Sequence, residues 1–124
     1  MYHHQDVIVQ ADKGRIIQVI SNLLNNAIKF TEKGTISIGL ERKGDDNREV
    51  LISVKDPGQG INPEILPKLF TNFATKSKSK SESETGTGLG LFISKSIVEG
   101  HGGKIWAENN ADGKGATFYF CLSR

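Results

Sequence analysis

Only one cysteine, Cys121, occurs in the 124 residues, which excludes an internal disulfide. A lone thiol fits a reducing compartment. No apolar run approaches the roughly 18–20 residues that a membrane span needs. Residues 1–6, Met-Tyr-His-His-Gln-Asp, lack the apolar stretch of a signal peptide. Neither sign of charge dominates: Lys+Arg 16 against Asp+Glu 14 leaves +2, too little to argue for nucleic acid or an anionic membrane. No Walker A sequence occurs, and Asp56-Pro57-Gly58 is not the D-F-G of protein kinases. His3, His4 and His101 have no metal-ligand spacing with Cys121 or with a carboxylate pair. These absences predict a soluble, cytoplasmic, single globular domain. At this length it can bury roughly two thirds of its unfolded surface.

The pattern that is present alternates strands and helices. Val7–Val9 reads as a short strand. Asp12 is placed to cap a helix over Lys13–Phe30, in which Ile16, Ile17, Val19, Ile20, Leu23, Leu24, Ala27 and Ile28 recur at helical spacing. Thr35–Leu40 and Val50–Val54 read as a hairpin with a charged tip. Pro63–Phe70 reads as a short helix with proline in its first turn. A low-complexity stretch from Thr75 to Glu84 offers nothing apolar to pack, and disorder is expected from Lys76 to Glu84. Leu91–Glu99 has helical periodicity, and Lys104–Glu108 and Ala116–Leu122 read as closing strands. The sum is a two-layer α/β sandwich: a mixed, mostly antiparallel sheet of about five strands with about three helices on one face.

Three features could carry chemistry. Gln18, Asn22, Asn26 and Lys29 lie within about 80° of one another on the long helix, opposite its apolar arc. A merely wet face would more naturally use Glu, Lys or Arg than asparagine, a weak helix former. Amide oxygens are also apt ligands for a hard cation such as Mg²⁺ that carries phosphate. Asp56-Pro-Gly-Gln-Gly60 is either an ordinary turn or a carboxylate placed to accept from an exocyclic amine. In the second case Gly58 and Gly60 let the backbone approach a flat base. Thr85-Gly-Thr-Gly-Leu-Gly-Leu91 opens a helix and is either a hinge or a phosphate cradle of backbone N–H groups.

Taken in order, these segments resemble the catalytic and ATP-binding domain of sensor histidine kinases, of the superfamily shared with type II topoisomerase ATPases and the large heat-shock chaperone. Gln18–Thr31 resembles the N box and Asp56–Ile61 the first glycine box. Leu69–Phe73 resembles the F box, Gly86–Leu91 the second glycine box and Gly113–Phe118 the last. The resemblance implies a Bergerat-type ATP-binding fold over residues 1–124, with an ATP lid at about 73–87. It implies that Asn26 ligates Mg²⁺ and that Asn22 and Lys29 serve the phosphates. Phe30, Ile61 and Phe73 would contact the nucleotide, and Asp56 would take the adenine amino group in a slot shaped by Gly58 and Gly60. Gly86, Thr87, Gly88, Leu89 and Gly90 would meet the phosphates, and Lys76 would reach the γ-phosphate.

The implied activity is transfer of the ATP γ-phosphoryl group to a histidine on a separate dimerisation domain, with a response regulator downstream. The parent protein would be a homodimer and this piece a monomer, nearly inactive alone, with no nucleic-acid partner and no direct membrane contact. Only about ten residues precede the helix that carries the N box, which implies a fragment of a longer kinase. The alternatives are an anti-sigma-like serine kinase and a clamp ATPase of the same superfamily. Clamp ATPases carry a water-activating Glu where this chain has Asn22, which favours transfer over hydrolysis. Ala116 stands where many relatives have a hydroxyl near adenine, and Thr117 is expected on the opposite face of its strand.

Overall fold

In a computed structural model of the chain, residues 11–71 and 87–123 are described. The expected strand at Val7–Val9 lies outside them, as do Lys76–Glu84 and most of the proposed lid. Helix α1 runs over Lys13–Phe30, with Asp12 in extended conformation accepting the Arg15 N–H at 3.2 Å on its Oδ1. Strands β1 (Ser37–Lys43) and β2 (Glu49–Asp56) follow, then helix α2 (Thr87–Gly100), β3 (Lys104–Asn109) and β4 (Ala116–Ser123). The described strands form one sheet in the order β1-β2-β4-β3, with every neighbouring pair antiparallel.

One face of this sheet is covered. Alternate residues Val50, Ile52 and Val54 of β2 and Ala116, Phe118, Phe120 and Leu122 of β4 are buried. They pack with Val19, Leu23 and Ala27 of α1 and with Leu91 and Val98 of α2. Helix α1 lies over β2, and α2 over β3 and β4. The edge strand β1 lies beyond this cover, so Ile38 and Leu40 stay exposed although register places them on the helix side. The other face carries Trp106 stacked on Tyr119, ring centres 5.2 Å apart. His101, in the turn after α2, ties the two helices: its Nε2 accepts the Asp12 N–H at 3.0 Å, and its Nδ1 lies 2.8 Å from the Ile97 carbonyl oxygen. Leu23 is fully buried in this core. Leu23→Ala should lower unfolding free energy by about 3 kcal/mol, read by chemical denaturation, because truncation removes transfer energy and leaves a cavity.

Two expectations about local structure need correction. The segment 63–70 is not an α-helix; its regular part is a single 3₁₀ turn, Leu66–Lys68. Pro67 has no N–H to give to the carbonyl of Pro63, so the α pattern cannot propagate. The chain instead makes bonds of 3₁₀ spacing, Lys68 N–H to Ile65 O at 2.8 Å and Leu69 N–H to Leu66 O at 3.2 Å. Phe70 still reaches the core, its ring edge-on to Phe118 at 6.1 Å. Helix α2 starts at Thr87, four residues before Leu91, so Gly88 and Gly90 of the second box belong to its first turn.

Candidate functional site

Helix α1 organises the site along about 12 Å of its length, from Asn22 to Phe30, at 1.5 Å per residue. At its middle, Asn22 faces the start of α2. The Asn22 Nδ2 donates to Gly90 O at 3.2 Å and to Ser94 Oγ at 3.1 Å. Both amide hydrogens are thereby turned toward α2. The first turn of α2 has backbone N–H groups with no partner inside the helix, a positive pole beside α1.

One turn further on, Asn26 is 7% exposed, and its Oδ1 is buried without a hydrogen-bond partner among the described residues. Buried acceptors are rarely left so, since the lost solvation costs about 1–3 kcal/mol. An amide oxygen in that state suits a hard cation. Among the described residues no group of three or more His, Cys, Asp or Glu could hold a metal ion. A cation there would therefore complete its shell from phosphate and water. Lys29 is exposed in the last turn of α1, and Phe30 ends it.

At the end of α1 the loop after β2 closes against it. Asp56, the last residue of β2, is 4% exposed and is paired in register with the buried Ala116. Its Oδ1 accepts the Gly58 N–H at 2.9 Å. A side chain at Gly58 would overlap the carbonyl oxygen of Phe30, so the loop and the helix end touch through glycine. A cleft of about 430 Å³ opens here, lined by Lys29, Phe30, Glu32, Lys33, Pro57, Gly58 and Gln59.

Of the residues singled out in the sequence, Asn22, Asn26, Lys29 and Phe30 lie on one helix, and Gly58, bonded to Asp56, meets its end. Gly60 and Ile61 continue that loop, and Gly90 meets Asn22. Thr87, Gly88 and Leu89 lie in the first turn of α2. Phe73, Lys76 and Gly86 lie outside the described residues. Thr117 is paired with Lys55 and Glu108 on the face away from Asp56. Sequence reading gave no part in the site to Asn109 and Asn110, in the turn opposite the loop. Asn109 binds Ile61, and Asn110 binds the carbonyl of Asp56. The available signal was two adjacent asparagines at a strand end, before Gly113 and Gly115.

Comparison with known proteins places this geometry. Residues 11–124 match the family model described as histidine kinase-, DNA gyrase B-, and HSP90-like ATPase. The chain is 49% identical over 122 residues to the sensor protein KdpD of Clostridium acetobutylicum, covering 97% of this chain and 13% of that protein. It is similar to the catalytic domain of histidine kinase ThkA in a nucleotide-free form, with TM-score 0.75 and 40% identity, over 93% of this chain and 71% of that one. It also resembles full-length ShkA in complex with AMPPNP, with TM-score 0.73 and 31% identity, over 92% of this chain and 22% of that one. The chain thus spans about an eighth of KdpD. No helix among the described residues is long and apolar enough to cross a membrane.

Proposed function

The chain belongs to the family of histidine kinase-, DNA gyrase B- and HSP90-like ATPases, and from that premise we propose that it is the ATP-binding catalytic domain of a sensor histidine kinase. The observation that carries the reading is the orphaned, buried Oδ1 of Asn26, on the same helix whose end meets Gly58, the residue bonded to the buried carboxylate of Asp56. Asp56 receives the adenine amino group, and Phe30, Gly58, Gly60 and Ile61 line the base. Lys29 and the N–H groups at the start of α2, from Thr87 through Gly90, receive the phosphates. Asn26 Oδ1 would hold Mg²⁺. The ion, when bound, supplies neutralisation of the charge on the transferring phosphoryl group.

The reaction moves the γ-phosphoryl group of ATP to the imidazole of a histidine on a separate dimerisation domain, leaving ADP. The phosphoryl group then passes to a response regulator, in a homodimeric, cytoplasmically disposed kinase. The chain's own part is positioning and electrostatics. Position 22 supports transfer over hydrolysis: it is an amide whose N–H groups are spent on α2, so it offers no base for water. Calorimetric titration with AMPPNP tests the reading. The wild-type chain should bind, and Mg²⁺ should tighten binding; Asn26→Ala should lose about tenfold, chiefly from the metal-dependent part. A folded chain that binds no AMPPNP would overturn it.

A further inference from the structure

We propose that Asn109 and Asn110 are positioning residues that fix the loop 56–61 and thereby set a preference for adenine over guanine nucleotides. The proposal rests on the reading of Asp56 as the base-binding carboxylate. Asn109 ends β3, and its side chain grips the backbone of Ile61 at two points. Its Oδ1 accepts the Ile61 N–H at 2.7 Å, and its Nδ2 donates to Ile61 O at 2.9 Å. Paired strand residues exchange the same two bonds, so Ile61 is held as if it were in the sheet.

Asn110 grips the other end of the loop. Its Nδ2 donates to Asp56 O at 3.1 Å and to Lys114 O at 2.8 Å. Its Oδ1 accepts from Thr117 Oγ1 at 2.6 Å, and Thr117 is 5% exposed. Both amide hydrogens and the oxygen are therefore engaged, so the amide has one orientation. Between the two grips lie Pro57, Gly58, Gln59 and Gly60, and two glycines in four residues would otherwise give the loop wide freedom.

A purely local role does not explain Asn109. Asn110 also braces its own turn through Lys114, but both bonds of Asn109 leave the hairpin for Ile61, 48 positions away. Guanine carries a carbonyl oxygen where adenine carries its amino group. A guanine in the slot would set that oxygen against the Asp56 carboxylate, and the penalty lasts only while the carboxylate cannot move away. Loosening the loop should therefore weaken adenine binding and blunt the discrimination together.

The test is calorimetric titration of AMPPNP and its guanine counterpart, GMPPNP, into the wild type, Asn109→Ala and Asn110→Ala. Asn109→Ala should lose about five- to tenfold in AMPPNP affinity, the scale of one or two ordinary hydrogen bonds. GMPPNP affinity should change less than about twofold, so the ratio narrows. In the nucleotide-free protein, exchange of the Ile61 amide hydrogen should quicken. Asn109→Asp, which keeps the acceptor and loses the donor, should fall between. If Asn110→Ala does not fold, Asn109→Ala decides alone. Folded Asn109→Ala with wild-type affinity and ratio overturns the positioning role while the nucleotide site stands. Failure of the wild type to bind AMPPNP overturns both.

Discussion

Asp56→Asn is expected to reduce AMPPNP affinity at least about 100-fold, roughly 2.7 kcal/mol, while the chain stays folded. The replacement is isosteric, so the buried site next to Ala116 is neither emptied nor overfilled. In the native side chain, one oxygen accepts the Gly58 N–H at 2.9 Å and both oxygens are acceptors. An asparagine that keeps the bond to Gly58 must turn its Nδ2 toward the incoming adenine amine, donor against donor. A hydrogen bond to a charged group, worth about 1.5–3 kcal/mol, is lost, and the nucleobase amine is left unsatisfied. Burying an amide in place of a carboxylate costs less desolvation, so thermal denaturation should show a midpoint equal to or above the wild type. Calorimetry beside a melting curve separates the two effects. Wild-type affinity in the mutant would place the base elsewhere.

The sequence was most legible where neighbours in the chain are neighbours in space. Helix α1, with its bounds Lys13 and Phe30 and its cap Asp12, followed from spacing and capping chemistry alone. The same spacing set Asn22, Asn26 and Lys29 on one strip, because a helix converts sequence period directly into position. The 3₁₀ turn at Leu66–Lys68 was readable too, had Pro67 been given the weight of Pro63. Contacts between distant segments were not readable. That Asn22 would spend its amide hydrogens on Gly90 and Ser94, 68 and 72 positions on, follows only from α1 and α2 lying side by side. The grip of Asn109 and Asn110 is of the same kind, since asparagines after a strand read first as turn formers.

The two glycines of the last box show how different two similar positions can be. Gly113 and Gly115 have nearly the same φ, +80° and +82°. Any L-residue there pays about 1–2 kcal/mol for the left-handed conformation. Around Gly113, however, nothing lies within 4 Å of where a Cβ would stand. A Cβ on Gly115 would overlap the carbonyl oxygen of Asp56 and stand 2.8 Å from the Gly58 nitrogen. Both contacts are backbone, so no side chain can swing aside. Gly113→Ala should therefore cost only the conformational strain, about 1 kcal/mol, with AMPPNP affinity unchanged.

Gly115→Ala should cost about 3 kcal/mol or more, because it adds a clash to the same strain. It should lower the melting midpoint by roughly 10 °C. Relief requires β4 to draw back from the end of β2, which breaks the Asn110 bond to Asp56 O at 3.1 Å and shifts the carboxylate itself. AMPPNP binding should then be lost even below the melting transition, when most molecules are folded. Denaturation and titration of the pair decide the matter. Equal stability losses would mean that backbone strain alone dictates glycine at both positions. A folded Gly115→Ala chain with intact affinity would mean that the close approach of this turn to Asp56 has no part in shaping the site.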